Sequence, residues 1–131
     1  MAILVNKSAK APVQKAIIDL LKNHMDIPIY DHVTEGTPYP YIVVDILDEI
    51  EWGDKITPGS WLNVAIDNYA ETRESLTVKE VNSKVLKVLD NDFDVEGWQV
   101  YIIKLASNEN SNDNTAHWGE LTLEVGVLEN G

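Results

Sequence analysis

The chain has 131 residues, of which 44% are hydrophobic, and 22 acidic side chains against 10 basic ones give it a formal charge of −12. That length fits a single domain, 1–131, whose core forms without disulfides or metals, because a chain of this size buries roughly two-thirds of its unfolded surface. The charge works against a phosphate-neutralising surface, so neither direct sequence-specific binding of nucleic acid nor adhesion to anionic lipid is expected. The absence of cysteine excludes a disulfide scaffold, a thiolate zinc site and a cysteine nucleophile. No segment reaches the roughly 20 apolar residues of a membrane helix, so a soluble protein made in the cytoplasm is expected.

The first periodic segment follows Lys10-Ala11-Pro12. Val13, Ala16, Ile17, Leu20 and Leu21 share one helical face, and Pro12 suits the first turn. Ile27-Pro28 biases the backbone to extended geometry, which ends the helix by Met25. Tyr41 to Leu47 alternates as a strand with Ile42, Val44 and Ile46 on one face, and Leu62, Val64 and Ile66 repeat the pattern. Between them, Asp48 to Ser60 contains Gly53 and Pro58-Gly59 and predicts a long acidic hairpin loop. Val78, Val81, Val85, Val88 and Leu89 predict a second helix over Glu74 to Leu89.

Two further strands follow. Trp98, Val100 and Ile102 alternate with Gln99, Tyr101 and Ile103, and Leu121, Leu123, Val125 and Val127 alternate with polar residues. The run Ser107 to Asn114 offers no apolar anchor and predicts a mobile loop; flexibility is expected over 1–10 and 106–117. The element order is therefore α-β-β-α-β-β. It predicts an α+β fold with a mainly antiparallel four-stranded sheet and two helices packed on one face.

Chemistry is sparse. Asp45, Asp48, Glu49, Glu51 and Asp54 cluster in sequence like the Mg²⁺ ligands of a nuclease, which also needs a basic residue beside them; Lys55 follows Asp54 directly, and on an extended strand the two face opposite sides. A solvated acidic hairpin is the expected reading. His24, His32 and His117 lack the spacing of a zinc site, and local hydrogen bonding or exposure is their expected state. Neither a Gly-x-Ser-x-Gly elbow nor a phosphate-cradling glycine loop is present. The expectation is a protein with no catalytic residues, no metal and no cofactor. Trp52, Trp61, Trp98 and Trp118 lie in or beside predicted strands, and Trp52, away from any periodic stripe, is the best interface candidate among them.

The segment Ile29 to Val44 contains Tyr30-Asp31, then Pro38-Tyr39-Pro40-Tyr41 leading into the first long strand. It resembles the tail completion proteins of long-tailed phages, a family that includes tail-to-head joining and tail terminator proteins. Trp61 to Tyr69, the helix Glu74 to Leu89 followed by Asp90, and His117-Trp118-Gly119-Glu120-Leu121 resemble that family's later elements, so the likeness runs from about Pro12 to Leu128. The chain departs from the pattern at Thr34, where the family's motif has proline, and in its acid-rich hairpin.

The resemblance implies a structural subunit of a ring, usually a hexamer, at the head-proximal end of the tail in the virion, assembled after synthesis in the host bacterial cytoplasm. Such a ring caps the tail tube protein and offers a surface to the head-connector protein. A free monomer is compatible with it, since assembly on a tail can be templated. The contact regions it implies are the hairpin Glu49 to Thr57, the loop Ser107 to Thr115 and the segment Met1 to Lys10. The candidate interface residues are Glu49, Glu51, Trp52, Asp54 and Lys55 in the first, with Asn108, Glu109, Asn110, Asn112 and Asp113 in the second. Two alternatives stand beside it: another minor head-tail connector component, and an acidic DNA-mimicking inhibitor of a nucleic-acid-binding protein.

Overall fold

The computed structural model describes residues 8–53, 57–71, 75–113 and 116–130. Helix α1 (Lys10–His24) leads to a two-residue strand β1 (Ile29–Tyr30), then to a long hairpin of β2 (Tyr41–Gly53) and β3 (Pro58–Glu71). Helix α2 (Ser75–Leu89) precedes a second long hairpin of β4 (Trp98–Asn112) and β5 (Ala116–Glu129). The sheet order is β1-β2-β3-β5-β4, so β3 and β5 are the central pair.

This corrects the expected four-stranded sheet and its α-β-β-α-β-β order. The sheet has five strands and is mixed, because β1 runs parallel to β2 with Ile29 beside Ile42 and Tyr30 beside Val43. Two residues are too few to show an alternation. What recruits them is the backbone, since the Ile42 N–H donates to the Pro28 carbonyl at 2.9 Å. The Tyr39–Pro40 peptide that leads into β2 is cis.

The hairpins are also longer than expected. β2 and β3 stay paired out to Gly53 opposite Pro58, so most of the expected loop Asp48 to Ser60 is strand. Likewise Ser107 to Asn112 belong to β4 and pair with Thr122 to His117 of β5, where a loop was expected. Backbone pairing along β5 carries this polar run past the end of the hydrophobic core.

Both helices lie on one face of the sheet. Val13, Ile17 and Leu21 of α1 and Val85 of α2 are fully buried, at the four-residue spacing that faces one side of a helix. They meet Ile42 and Val44 of β2, Leu62, Val64 and Ile66 of β3, and Leu121, Leu123, Val125 and Val127 of β5 in one cluster. A polar fastening completes the layer contact. Asn68 of β3 donates to the Asn82 side-chain oxygen of α2, and Asn82 Nδ2 donates to Asn108 Oδ1 of β4 at 3.2 Å. Gly119 makes room for it, since a Cβ there would lie 2.6 Å from Asn82 Nδ2 and 2.8 Å from Asn68 Nδ2.

Leu62→Ala, in the middle of that cluster, is expected to cost about 3 kcal/mol by urea unfolding, whereas Thr122→Ala on the opposite face costs less than about 1 kcal/mol. Asn82→Ala leaves a buried amide without its partner and is expected to cost about 2 kcal/mol in the same measurement.

Candidate interaction surface

The opposite face of the sheet has no covering element among the described residues. Its side chains follow from the pleat and from three bulges. In β2 the register shifts between Ile46 and Asp48, and in β4 between Val100 and Ile102 and again between Leu105 and Ser107. An extra residue in one strand bends the ladder and re-aims the side chains around it. The bulge at Tyr101 places Tyr101 and Ile102 with the open face, while Ile103 packs against the core. The alternation of Trp98, Val100 and Ile102 expected from sequence therefore holds only as far as Val100.

At the β2–β3 turn end this face is aromatic and aliphatic. Ile50 sits opposite Trp61, and Trp61 opposite Gly126. Trp52 and Tyr101 lie edge to face at a centroid separation of 5.3 Å, and Trp61 and Tyr101 are 6.1 Å apart. Each ring covers a glycine: a Cβ on Gly59 would lie 2.6 Å from the Trp52 indole, and one on Gly126 would lie 2.5 Å from the Tyr101 ring. Despite this packing, Ile50 is 60% exposed, Tyr101 45%, and Trp52 and Ile102 38% each. At the far end Tyr39 stacks on Tyr41 at 5.6 Å and Tyr41 on Tyr69 at 5.0 Å, with Tyr30 edge-on to Tyr41.

Between the aromatic ends runs an acidic band. Asp48, Asn63, Glu124 and Lys104 form one cross-strand row, and Val43, Asp67, Glu120 and Glu109 form another. Asp45 stands between them, opposite Ala65. Asp67 is half-buried on a central strand, and its carboxyl is pushed up from 3.8 to about 6, first by burial and then by the nearby charges of Glu120 and Asp45. Burial also raises the Tyr69 and Tyr41 hydroxyls that flank it toward the aromatic end.

The expected interface residues divide between structural and exposed roles. The Glu49 carboxylate accepts from Ser8 Oγ and from the Ala9 N–H, both at 2.7 Å. It thus places negative charge at the start of α1, whose first turn holds no acidic residue of its own. Asn108 is held by Asn82, and Asp113 closes the β4–β5 turn, accepting from the Ala116 N–H at 2.8 Å. Trp52 belongs to the aromatic cluster, and Glu109 to the acidic band. Glu51 is exposed opposite Ser60, Asn110 opposite Gly119 and Asn112 opposite His117. Asp54, Lys55 and residues 1–7 lie outside the described residues.

The two expected contact regions do not meet. The β2–β3 turn adjoins Gly59 and the β4–β5 turn adjoins Ala70, and the eleven residue steps from Gly59 to Ala70 span roughly 36 Å at about 3.3 Å each. What the structure brings together instead is Trp52 with Ile50, Trp61, Tyr101 and Ile102. Alternation from Val100 already turns Tyr101 to this surface, and the bulge, which no periodicity announces, adds Ile102 to it.

The Asp45-to-Asp54 cluster is divided by the same pleat: Asp45 and Asp48 share the open face, while Glu49 and Glu51 pair with Leu62 and Ser60 on the other. Among the described residues no three metal-ligating side chains gather around one point. His24 bonds to the Leu20 carbonyl and His32 to Asp31, each at 2.9 Å. No described helix is long and apolar enough to cross a membrane.

The molecule thus has two layers, a five-stranded mixed sheet and two helices, and among the described residues one sheet face is uncovered. No family model matches the chain, and no curated protein is significantly similar to it in sequence. Its fold is similar to that of a chain in the solved virion of a native gene transfer agent (GTA) particle, with a TM-score of 0.71 over 88% of this chain and 94% of that chain at 15% identity.

Asp67 sets a pH test. Its carboxyl binds a proton more readily in the folded protein than in the unfolded chain, so its contribution to stability falls as pH rises from about 4 to about 6 and stays unfavourable above. Discounted for its half-exposed position, the deficit is about 1 kcal/mol, so Asp67→Asn is expected to raise Tm by roughly 3–5 °C at pH 7.5 and by little at pH 4. Calorimetry of both proteins across that range checks it.

Proposed function

We propose that this chain is a structural subunit of a phage or phage-like tail, a tail completion protein that sits as a ring at the tail's head-proximal end, stops tube growth and presents a surface to the head connector. The observation that carries this reading is the agreement of two independent likenesses. The Tyr-Asp and Pro-Tyr-Pro-Tyr segment resembles the tail completion family, and the fold is similar over 88% of the chain to one found in a gene transfer agent virion. In this reading the tail tube protein and the head-connector protein are its partners, the ring is a hexamer, and the protein performs no catalysis.

The open sheet face fits an assembly role. Exposed aromatic residues on paired strands are what a protein interface favours, and Trp and Tyr are enriched there. The DNA-mimic alternative accounts for less of the surface. It uses the carboxylates of the acidic band but gives no part to the aromatic ends, nor to Lys104 standing opposite Glu124.

Deletion of the gene from its phage or prophage is the direct test. Electron micrographs are expected to show filled heads beside unjoined tails, some of irregular length. Normal infectious virions from the deletion strain would remove the protein from the essential tail pathway. Full restoration of joined particles by a Trp52→Ala, Tyr101→Ala copy of the gene would show that the aromatic cluster contributes nothing to that role.

A further inference from the structure

The two layers of the molecule differ in charge. Helices α1 and α2 hold six of the ten basic side chains, Lys10, Lys15, Lys22, Lys79, Lys84 and Lys87, and only two of the 22 acidic ones, Asp19 and Glu80. Lys15 is already paired with Asp19 at 2.7 Å. On α2, Lys79, Ser83 and Lys87 recur every four residues along the exposed side, with Lys84 and Glu80 beside them. Together these five form one open patch on the outer side of the helix. Lysine stems of this kind present apolar methylenes beneath their charged heads.

The uncovered sheet face is the complement of that surface. It offers aromatic and aliphatic side chains at both ends and, between them, carboxylates that outnumber the single lysine of the band. We infer that copies of this chain associate head to tail, the lysine-lined outer face of α2 in one copy docking on the open sheet face of the next. The inference deepens the ring-subunit reading and takes its biological setting from it.

Three arguments support a second copy as the occupant. First, the two surfaces have opposite sign, and cations laid over Asp45, Asp67 and Glu120 relieve a repulsion that the folded monomer leaves in place. Second, they lie on opposite layers of one molecule. Each copy then offers one of each, and the contact is heterologous, the kind that propagates around a ring when the rotation closes. Third, the size is adequate. Helix α2, about 22 Å long and about 10 Å wide, covers about 220 Å² of a facing sheet, or about 450 Å² in total, and α1 packed beside it in the same layer brings the contact to about 900 Å², the range of transient complexes. A contact that size is weak between two free copies and gains from closure of a ring.

The absence of cysteine from the chain makes the test clean. Within one copy Lys84 belongs to the helical layer and Thr122 to the opposite face of the sheet, so a disulfide between them, which needs Cα atoms within about 7 Å, forms only between copies. Mild oxidation of the double variant K84C/T122C at low salt is expected to give a ladder of linked oligomers. The single variants K84C and T122C are expected to give no such ladder of linked chains. Adding K79E and K87E to the double variant is expected to slow linking at least tenfold, and 1 M salt, which shortens the screening length to about 3 Å, is expected to do the same.

A charge swap supplies the second measurement. Protein carrying K79E/K84E/K87E and protein carrying D45K/E120K are each expected to sediment as monomers, whereas their mixture associates, because each supplies the surface the other has lost. No ladder, equal linking by the single variants, or no association in the mixture overturns the docking mode. If the deletion strain still fails to join heads to tails, the tail-subunit reading survives that result. A ladder together with normal virions from the deletion strain sinks the tail reading and keeps the self-association.

Discussion

Two helices cover one face of four long strands, and that asymmetry sorts the side chains of β2 to β5 by the pleat. Ile42, Val44, Leu62, Val64, Ile66, Leu121, Leu123, Val125 and Val127 turn to the helices and vanish from solvent. Their neighbours in sequence necessarily turn the other way. A sheet with one bare face must then make that face tolerable in water, and here aromatic rings lie over glycines while carboxylates occupy the middle. The same alternation that builds the core thus decides what the molecule shows to a partner.

Polar contacts hold the helical layer in register where apolar packing alone would allow it to slide. Glu49 reaches from β2 to the first residues of α1, and Gln14 Nε2 returns the contact by donating to the Val44 carbonyl at 2.8 Å. The Asn68–Asn82–Asn108 chain does the same for α2 and ties two strands that are not neighbours in the sheet. Each buried amide carries a desolvation cost that only its partner offsets, so these contacts favour one alignment of the layers over displaced ones. That rigidity matters for a surface formed by several strands, because Ile50, Trp52, Trp61 and Tyr101 come from three of them.

Much of the core was legible in the sequence, because Val13, Ile17 and Leu21, or Leu121, Leu123, Val125 and Val127, recur with the period of the element they form. Elements without a period were not. β1 is two residues long, and the polar half of β4 has no apolar residue between Ser107 and Asn112 to alternate; it is a strand because β5 extends beside it. The surface was legible through Trp52, which stands off any stripe, and through Tyr101, which alternation turns away from Val100. Ile102 reaches it by a bulge, which changes the phase of the alternation without leaving a mark in composition. Glu49 and Asn108 drew notice as polar residues in expected loops, yet their partners lie 40 and 26 positions away and become visible only in three dimensions.

The sheet edges bear on which surfaces can join copies. An open edge strand offers unpaired backbone groups to another strand, and bulges, charges and covering segments discourage such pairing. β2 is covered by β1 at Ile42 and Val43, has the Val44 carbonyl taken by Gln14, and bulges at Leu47. β4, the other edge, bulges twice and carries Lys104 and Glu109. Both edges are therefore poor templates for a continuous sheet across subunits. With the edges blunted, the broad faces are the surfaces left for the inferred contact between copies. They differ in charge and lie back to back, an arrangement that favours directional contacts over a closed two-fold pair, in which each patch would have to meet its own like.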